Sequence, residues 1–200
     1  MSKSNVRTYT NDEILARVKS LPSFQALPSN YWIVGVRSNE DAPNKYDDKF
    51  YIFSGENFVT LLHGTTHPGV PILKGGFLKY NKVGAAVVKA NEWYYGVWRY
   101  GLHLKRMPAL LQIGKFLGYR DGDRDNKAEE IGPINTFEWT GINFHTVSFD
   151  SKSTYVPEDI NGLSAGCQVI PDVQKFNQTI NKFFKEQKSV TYCLLQEWND

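Results

Sequence analysis

Short blocks of β-branched and aromatic residues, bounded by Gly, Pro, Asn or Asp, recur along most of the chain, and two segments near its ends carry a helical period instead. Thr10 followed by Glu13 has the spacing of a capping box, and Ile14, Leu15 and Val18 mark one apolar face. A helix is therefore expected at about 10–21, ending near Leu21-Pro22. Val173, Phe176, Ile180, Phe183 and Phe184 also share a face and predict a second helix at about 172–187. Between them, strands are expected at 31–37, 49–54, 57–63, 83–90, 134–139 and 141–147, with a further one at 190–197. Residues 38–48 read as a loop and Gly55-Glu56 as a hairpin turn. The 109–118 segment fits either a short helix or an irregular core crossing, because its two glycines leave the choice open. The pattern predicts a mostly β fold with flanking helices, of the α+β class.

Size fits that picture. A chain of 200 residues can bury a substantial core without disulfide or metal staples, and no repeat or linker divides it, so a single domain over 1–200 is expected. The 23 basic and 21 acidic groups leave a formal charge of only +2, which is no footprint for nucleic acid. No segment approaches transmembrane length, and Met1 to Arg7 lacks the apolar stretch of a signal peptide. Two cysteines do not make a disulfide framework; Cys193, inside an apolar terminal strand, reads as core.

Cys167 is the strongest chemical clue. It lies in Gly162-Leu163-Ser164-Ala165-Gly166-Cys167-Gln168-Val169-Ile170, after an earlier segment Gly141-Ile142-Asn143-Phe144-His145. A thiolate is a strong nucleophile, and an imidazole within reach can take its proton and return it to a leaving group. Small residues at 164–166 allow a tight turn that exposes amides beside the sulfur, an environment suited to an oxyanion. The alternative is a small buried hydrophobe on an ordinary core strand. Alkylation separates the two: a catalytic Cys167 is expected to react faster than an unfolded thiol and to lose that advantage in His145→Ala.

A glycine-led strand ending in histidine, followed by Ser-x-Gly-Cys, resembles the YkuD-type L,D-transpeptidase family, in particular divergent, phage-like members. The resemblance covers residues 141–170. It implies an L,D-transpeptidase-like catalytic β fold acting on peptidoglycan stem peptides through a covalent thioester. By it, Cys167 is the nucleophile, His145 the base, Ser164 the motif serine and Gly166 the preceding glycine, with amides around Gly166 and Cys167 as the oxyanion site. Two positions depart from the family pattern. Ala165 replaces a second histidine, and Gln168-Val169 replaces an aliphatic residue followed by arginine, removing a carboxylate clamp and tilting the expected outcome toward cleavage over cross-linking. The implied labels are thiol protease or acyltransferase, hydrolase or transferase, acting on the cell wall.

Further substrate contacts are expected from His103, Trp98, Asn143 and Gln168. His103 lies in an aromatic, glycine-containing run and supplies a second imidazole, and the rings from Trp93 to Tyr100 either pack a core or line a groove. The 148–163 loop, between base and nucleophile, is long enough to shape a groove or act as a lid. His63 and His67 read as surface or turn residues. A zinc-dependent peptidase would need several of these histidines and Cys167 to converge, but no ligand-spaced motif is present, so no metal and no organic cofactor is expected. Asp121-Gly122-Asp123-Arg124-Asp125-Asn126 lacks the glycine and the closing glutamate of a calcium loop and reads as a solvated turn. A non-catalytic β-rich virion or cell-wall-binding protein is the remaining alternative. The expected setting is a bacteriophage protein made in the cytoplasm, then released at lysis or carried in a virion. The sequence leaves oligomeric state open.

Overall fold

The computed structural model describes residues 6–40 and 42–199. In chain order the main elements are α1 (Asn11–Lys19), β1 (Tyr31–Arg37), β2 (Asp48–Ser54), β3 (Asn57–Gly64), β4 (Ala85–Val88), β5 (Glu92–His103), β6 (Met107–Gln112), β7 (Phe116–Asp121), β8 (Asn135–Phe137), β9 (Phe144–Thr146), β10 (Gln168–Ile170), α2 (Val173–Phe183) and β11 (Val190–Gln196). The fold is mostly β with few helices.

Eight strands form one sheet in the order β10-β9-β6-β5-β11-β1-β2-β3. Thr65, just past β3, exchanges two 2.9 Å backbone hydrogen bonds with Val169 of β10, so the sheet is nearly closed on itself. This bridge ties the two edge strands together at their ends. The interior is filled by Phe50, Trp98, Phe144 and Tyr192, by Phe176 and Ile180 of α2 with Phe184 at its C-terminal cap, and by residues from a second sheet, β4-β7-β8. Each fully buried side chain of this size contributes about 1.5–3 kcal/mol relative to exposure. The other face of the central strands carries Trp32, Trp93 and Cys193, covered by Ile14 and Val18 of α1.

The helices arise from the expected signals. Thr10 caps α1 reciprocally with Glu13, and Asp172 caps α2 by accepting from the Lys175 amide at 3.0 Å. The 109–118 segment is neither a helix nor an irregular crossing; it forms the end of β6, a turn and the start of β7. Its glycine at 118 answers to sheet packing, since a Cβ there would lie 2.3 Å from the Val87 carbonyl. The aromatic run is core: Tyr94 and Trp98 face the interior, while Trp93 stacks between Trp32 and Tyr95. Among the described residues, no helix is long and apolar enough to cross a membrane.

Candidate functional site

Parallel pairing of β9 and β10 builds the site. Gln168 aligns with Phe144 and Val169 with His145, and the Gln168 amide donates to the Asn143 carbonyl at 2.9 Å. Alternation turns Phe144 and Gln168 into the interior, which sends Asn143, His145 and Cys167 to the opposite face. Asn143 is therefore beside Cys167, and His145 is one step along on the neighbouring strand.

The turn before Cys167 is held by Ser164. This serine is buried, donates from Oγ to the Cys167 carbonyl at 2.8 Å and accepts from the Gly166 amide at 3.2 Å. Gly166 has φ +129°, and a Cβ there would meet the Ala86 carbonyl at 2.5 Å, so the turn needs glycine both for its backbone and for its fit against β4. Of the two amides expected to face an oxyanion, that of Gly166 is engaged by Ser164.

Cys167 is partly buried and unpaired. Its Sγ–H donates to the Gly141 carbonyl at 3.3 Å. Burial pushes the thiol up from an ordinary 9.0 to about 11, opposed by a smaller lowering from the Asn143 backbone, which hydrogen-bonds the sulfur. His145 is buried. Burial first, then the neighbouring His103, pull its imidazole down from 6.5 to about 4, against the opposing bond to Thr146. Its Nδ1–H donates to the Thr146 carbonyl at 2.7 Å, which leaves the Nε2 lone pair as the ring's basic position. The resting pair is a neutral thiol and a neutral imidazole.

His103 stacks on His145 with ring centroids 4.4 Å apart and planes within 6°. The Asn143 side-chain amide donates to His103 Nδ1 at 3.0 Å, while Asn143 Oδ1 accepts from the Gln112 amide at 2.9 Å. Asn143 and Gln112 thereby brace the stacked pair. Burial lowers the His103 imidazole too. The sequence offered no signal for Gln112, nor for the Gly141 and Thr146 carbonyls, because backbone acceptors have no residue type.

Two expected substrate contacts belong to the core instead. Trp98 is fully buried and donates from Nε1 to the Ile142 carbonyl at 2.8 Å. Gln168 is equally buried, bridging the Gly166 carbonyl and the Tyr192 hydroxyl at 3.2 and 2.9 Å. Both support the site from beneath and neither can touch a ligand. The exposed ring nearest in sequence is Trp139, which is 85% exposed and two residues before Gly141.

The remaining histidines stand apart from this pair: His63 is exposed on β3, and His67 lines another cleft with Arg37 and Glu130. Among the described residues, no three His, Cys, Asp or Glu side chains are grouped to hold a metal ion. The acidic run turns on its own backbone, with Asp123 accepting from the Asp125 amide and Asp125 from that of Lys127. The 148–163 loop is tied down at Lys152, whose carbonyl accepts from Gln174, and at Ile160, whose amide donates to the Asn44 carbonyl. No family model, curated protein or solved structure matches the chain.

Proposed function

We propose that the protein carries out cysteine-dependent acyl transfer or hydrolysis on peptidoglycan stem peptides, in an L,D-transpeptidase-like fold, with Cys167 as nucleophile and His145 as base. The observation that carries this reading is the parallel register of β9 and β10, which by strand alternation puts Cys167 on the same face as His145, a buried imidazole whose Nδ1–H is tied to a backbone carbonyl. That bond fixes the tautomer a general base needs.

In the reaction, His145 Nε2 takes the thiol proton as the sulfur bonds to the substrate carbonyl carbon. The oxyanion is held by the Cys167 amide, since the Gly166 amide is engaged. As the C–N bond breaks, the proton on Nε2 passes to the departing amine and leaves a thioester. Water then yields hydrolysis, and a second stem-peptide amine yields a cross-link. The sequence holds no arginine in the motif to clamp an acceptor carboxylate, which favours water.

A second reading, a non-catalytic wall- or virion-associated binding protein, is favoured by the thiol's bond to the Gly141 carbonyl and its upward shift. Incubation of wild type and Cys167→Ala with defined peptidoglycan fragments, followed by mass spectrometry, separates the two. Cysteine-dependent products or an acyl adduct on Cys167 support catalysis. Absence of both across diverse stem peptides overturns it.

A further inference from the structure

Helix α2 presents Gln174, Asn177, Gln178 and Asn181 at spacings of three and four residues, so four amides lie on one helical face. They line an open cleft of about 420 Å³, whose other wall is Ser151 and Lys152 from the loop between His145 and Cys167. No carboxylate lines it, and Lys152 is its single charge. Asn177 is 7% exposed. Its Nδ2 donates to the Val173 carbonyl at 2.9 Å, whereas its Oδ1 is buried without a hydrogen-bond partner. A buried acceptor left unpaired is unfavourable, and a donor delivered to the cleft floor would satisfy it.

Both ends of the cleft are tied to segments that also carry site residues. Gln174 Nε2 donates to the Lys152 carbonyl at 3.0 Å, fastening the loop to the helix. Asn181 Oδ1 accepts from the Tyr100 hydroxyl at 2.7 Å, and Tyr100 lies three residues before His103 on β5. The amide row from 174 to 181 spans about 10 Å at the helical rise, roughly the length of a disaccharide.

We propose that this cleft binds the glycan strand of the wall polymer, with the amide side chains pairing to the hydroxyl and acetamido groups of N-acetylated amino sugars. Neutral amides both donate and accept, which suits such groups, whereas a peptide carboxylate would call for arginine. The inference rests on the peptidoglycan reading and gives it a second contact, to the sugar strand that carries the stem peptide.

The test uses full-length Cys167→Ala, isotope-labelled for NMR, titrated with β-1,4-linked N-acetylglucosamine di- and tetrasaccharides. De-N-acetylated oligomers and free stem peptide serve as comparison ligands. The expected result is selective shifts of the amide side chains at 174, 177, 178 and 181 with the acetylated sugars, weakened at least about tenfold by Gln178→Ala or Asn181→Ala. Both substitutions are at exposed positions and leave the core intact. No shifts, equal shifts with de-N-acetylated oligomers, or shifts at this face with the stem peptide alone would overturn the proposal. Turnover of isolated stem peptide by wild type is scored separately: turnover without sugar binding rejects the cleft and keeps the catalytic reading, and sugar binding without turnover does the reverse.

Discussion

Alkylation of Cys167 tests the resting state of the thiol directly. With the thiol pushed from 9.0 to about 11, its thiolate fraction at pH 7.5 falls about 100-fold below that of an ordinary cysteine. A more basic thiolate is intrinsically more nucleophilic, and a Brønsted slope of about 0.4–0.5 returns about 6- to 10-fold of that loss. Iodoacetamide should therefore label Cys167 about 10-fold more slowly than the urea-unfolded chain at pH 7.5, with the rate climbing until about pH 11. Peptide mass spectrometry isolates this site, since Cys193 is fully buried and protected. This reverses the expectation from sequence chemistry that a catalytic Cys167 outpaces an unfolded thiol. On the proposed mechanism the proton moves to His145 only as the substrate is attacked, so no preformed thiolate is required. For the same reason His145→Ala should change labelling by less than about 3-fold while removing turnover, because burial, not the imidazole, leads the thiol's shift. Labelling faster than the unfolded chain, or a plateau reached by pH 8, would show a preformed thiolate and refute the reasoning.

Three other outcomes are expected. Because the His145 imidazole is held below its ordinary 6.5 in the folded chain, the unfolded chain takes up the proton first as pH falls. The stabilisation is complete above about 6.5 and lost as pH drops toward about 4, so urea midpoints across that window should fall more steeply in wild type than in His145→Gln. Ser164→Ala removes the donor to the Cys167 carbonyl and the acceptor for the Gly166 amide; a loss of about 1–3 kcal/mol in chemical denaturation, with reduced turnover, is expected, and an unchanged midpoint contradicts it. Gly166→Ala places a methyl against the Ala86 carbonyl on a strained backbone and should cost about 2 kcal/mol or more by the same measurement.

Where local chemistry dictated local structure, the chain was readable. The Thr10–Glu13 box and the apolar faces of both helices are local signals, and α1 and α2 lie where those signals fall. The small residues before Cys167 likewise foreshadowed one tight turn. The role of a buried polar residue was not readable. Gln168 reads as a ligand contact beside a nucleophile, but the long-range partner Tyr192 draws it inward. Trp98 offered no clue to its side, because β5 is apolar on both faces where each is covered by a different layer. His103 meets His145 across the sheet, and sequence spacing carries no trace of that encounter.

The strand order has a consequence for how the molecule comes together. β11 follows every other strand in sequence, yet it lies at the middle of the eight-stranded sheet, parallel to β1 and antiparallel to β5. Until it inserts, β1-β2-β3 and β5-β6-β9-β10 can meet only through the Thr65–Val169 bridge, and β1 and β5 each present an uncovered edge open to wrong partners. Pairing Ile33 with Tyr192 closes a very long loop, a slow step for a chain to find. Assembly therefore has a keystone: a nascent or truncated chain lacking β11 would display two sticky half-sheets, making it a client for chaperones and proteases.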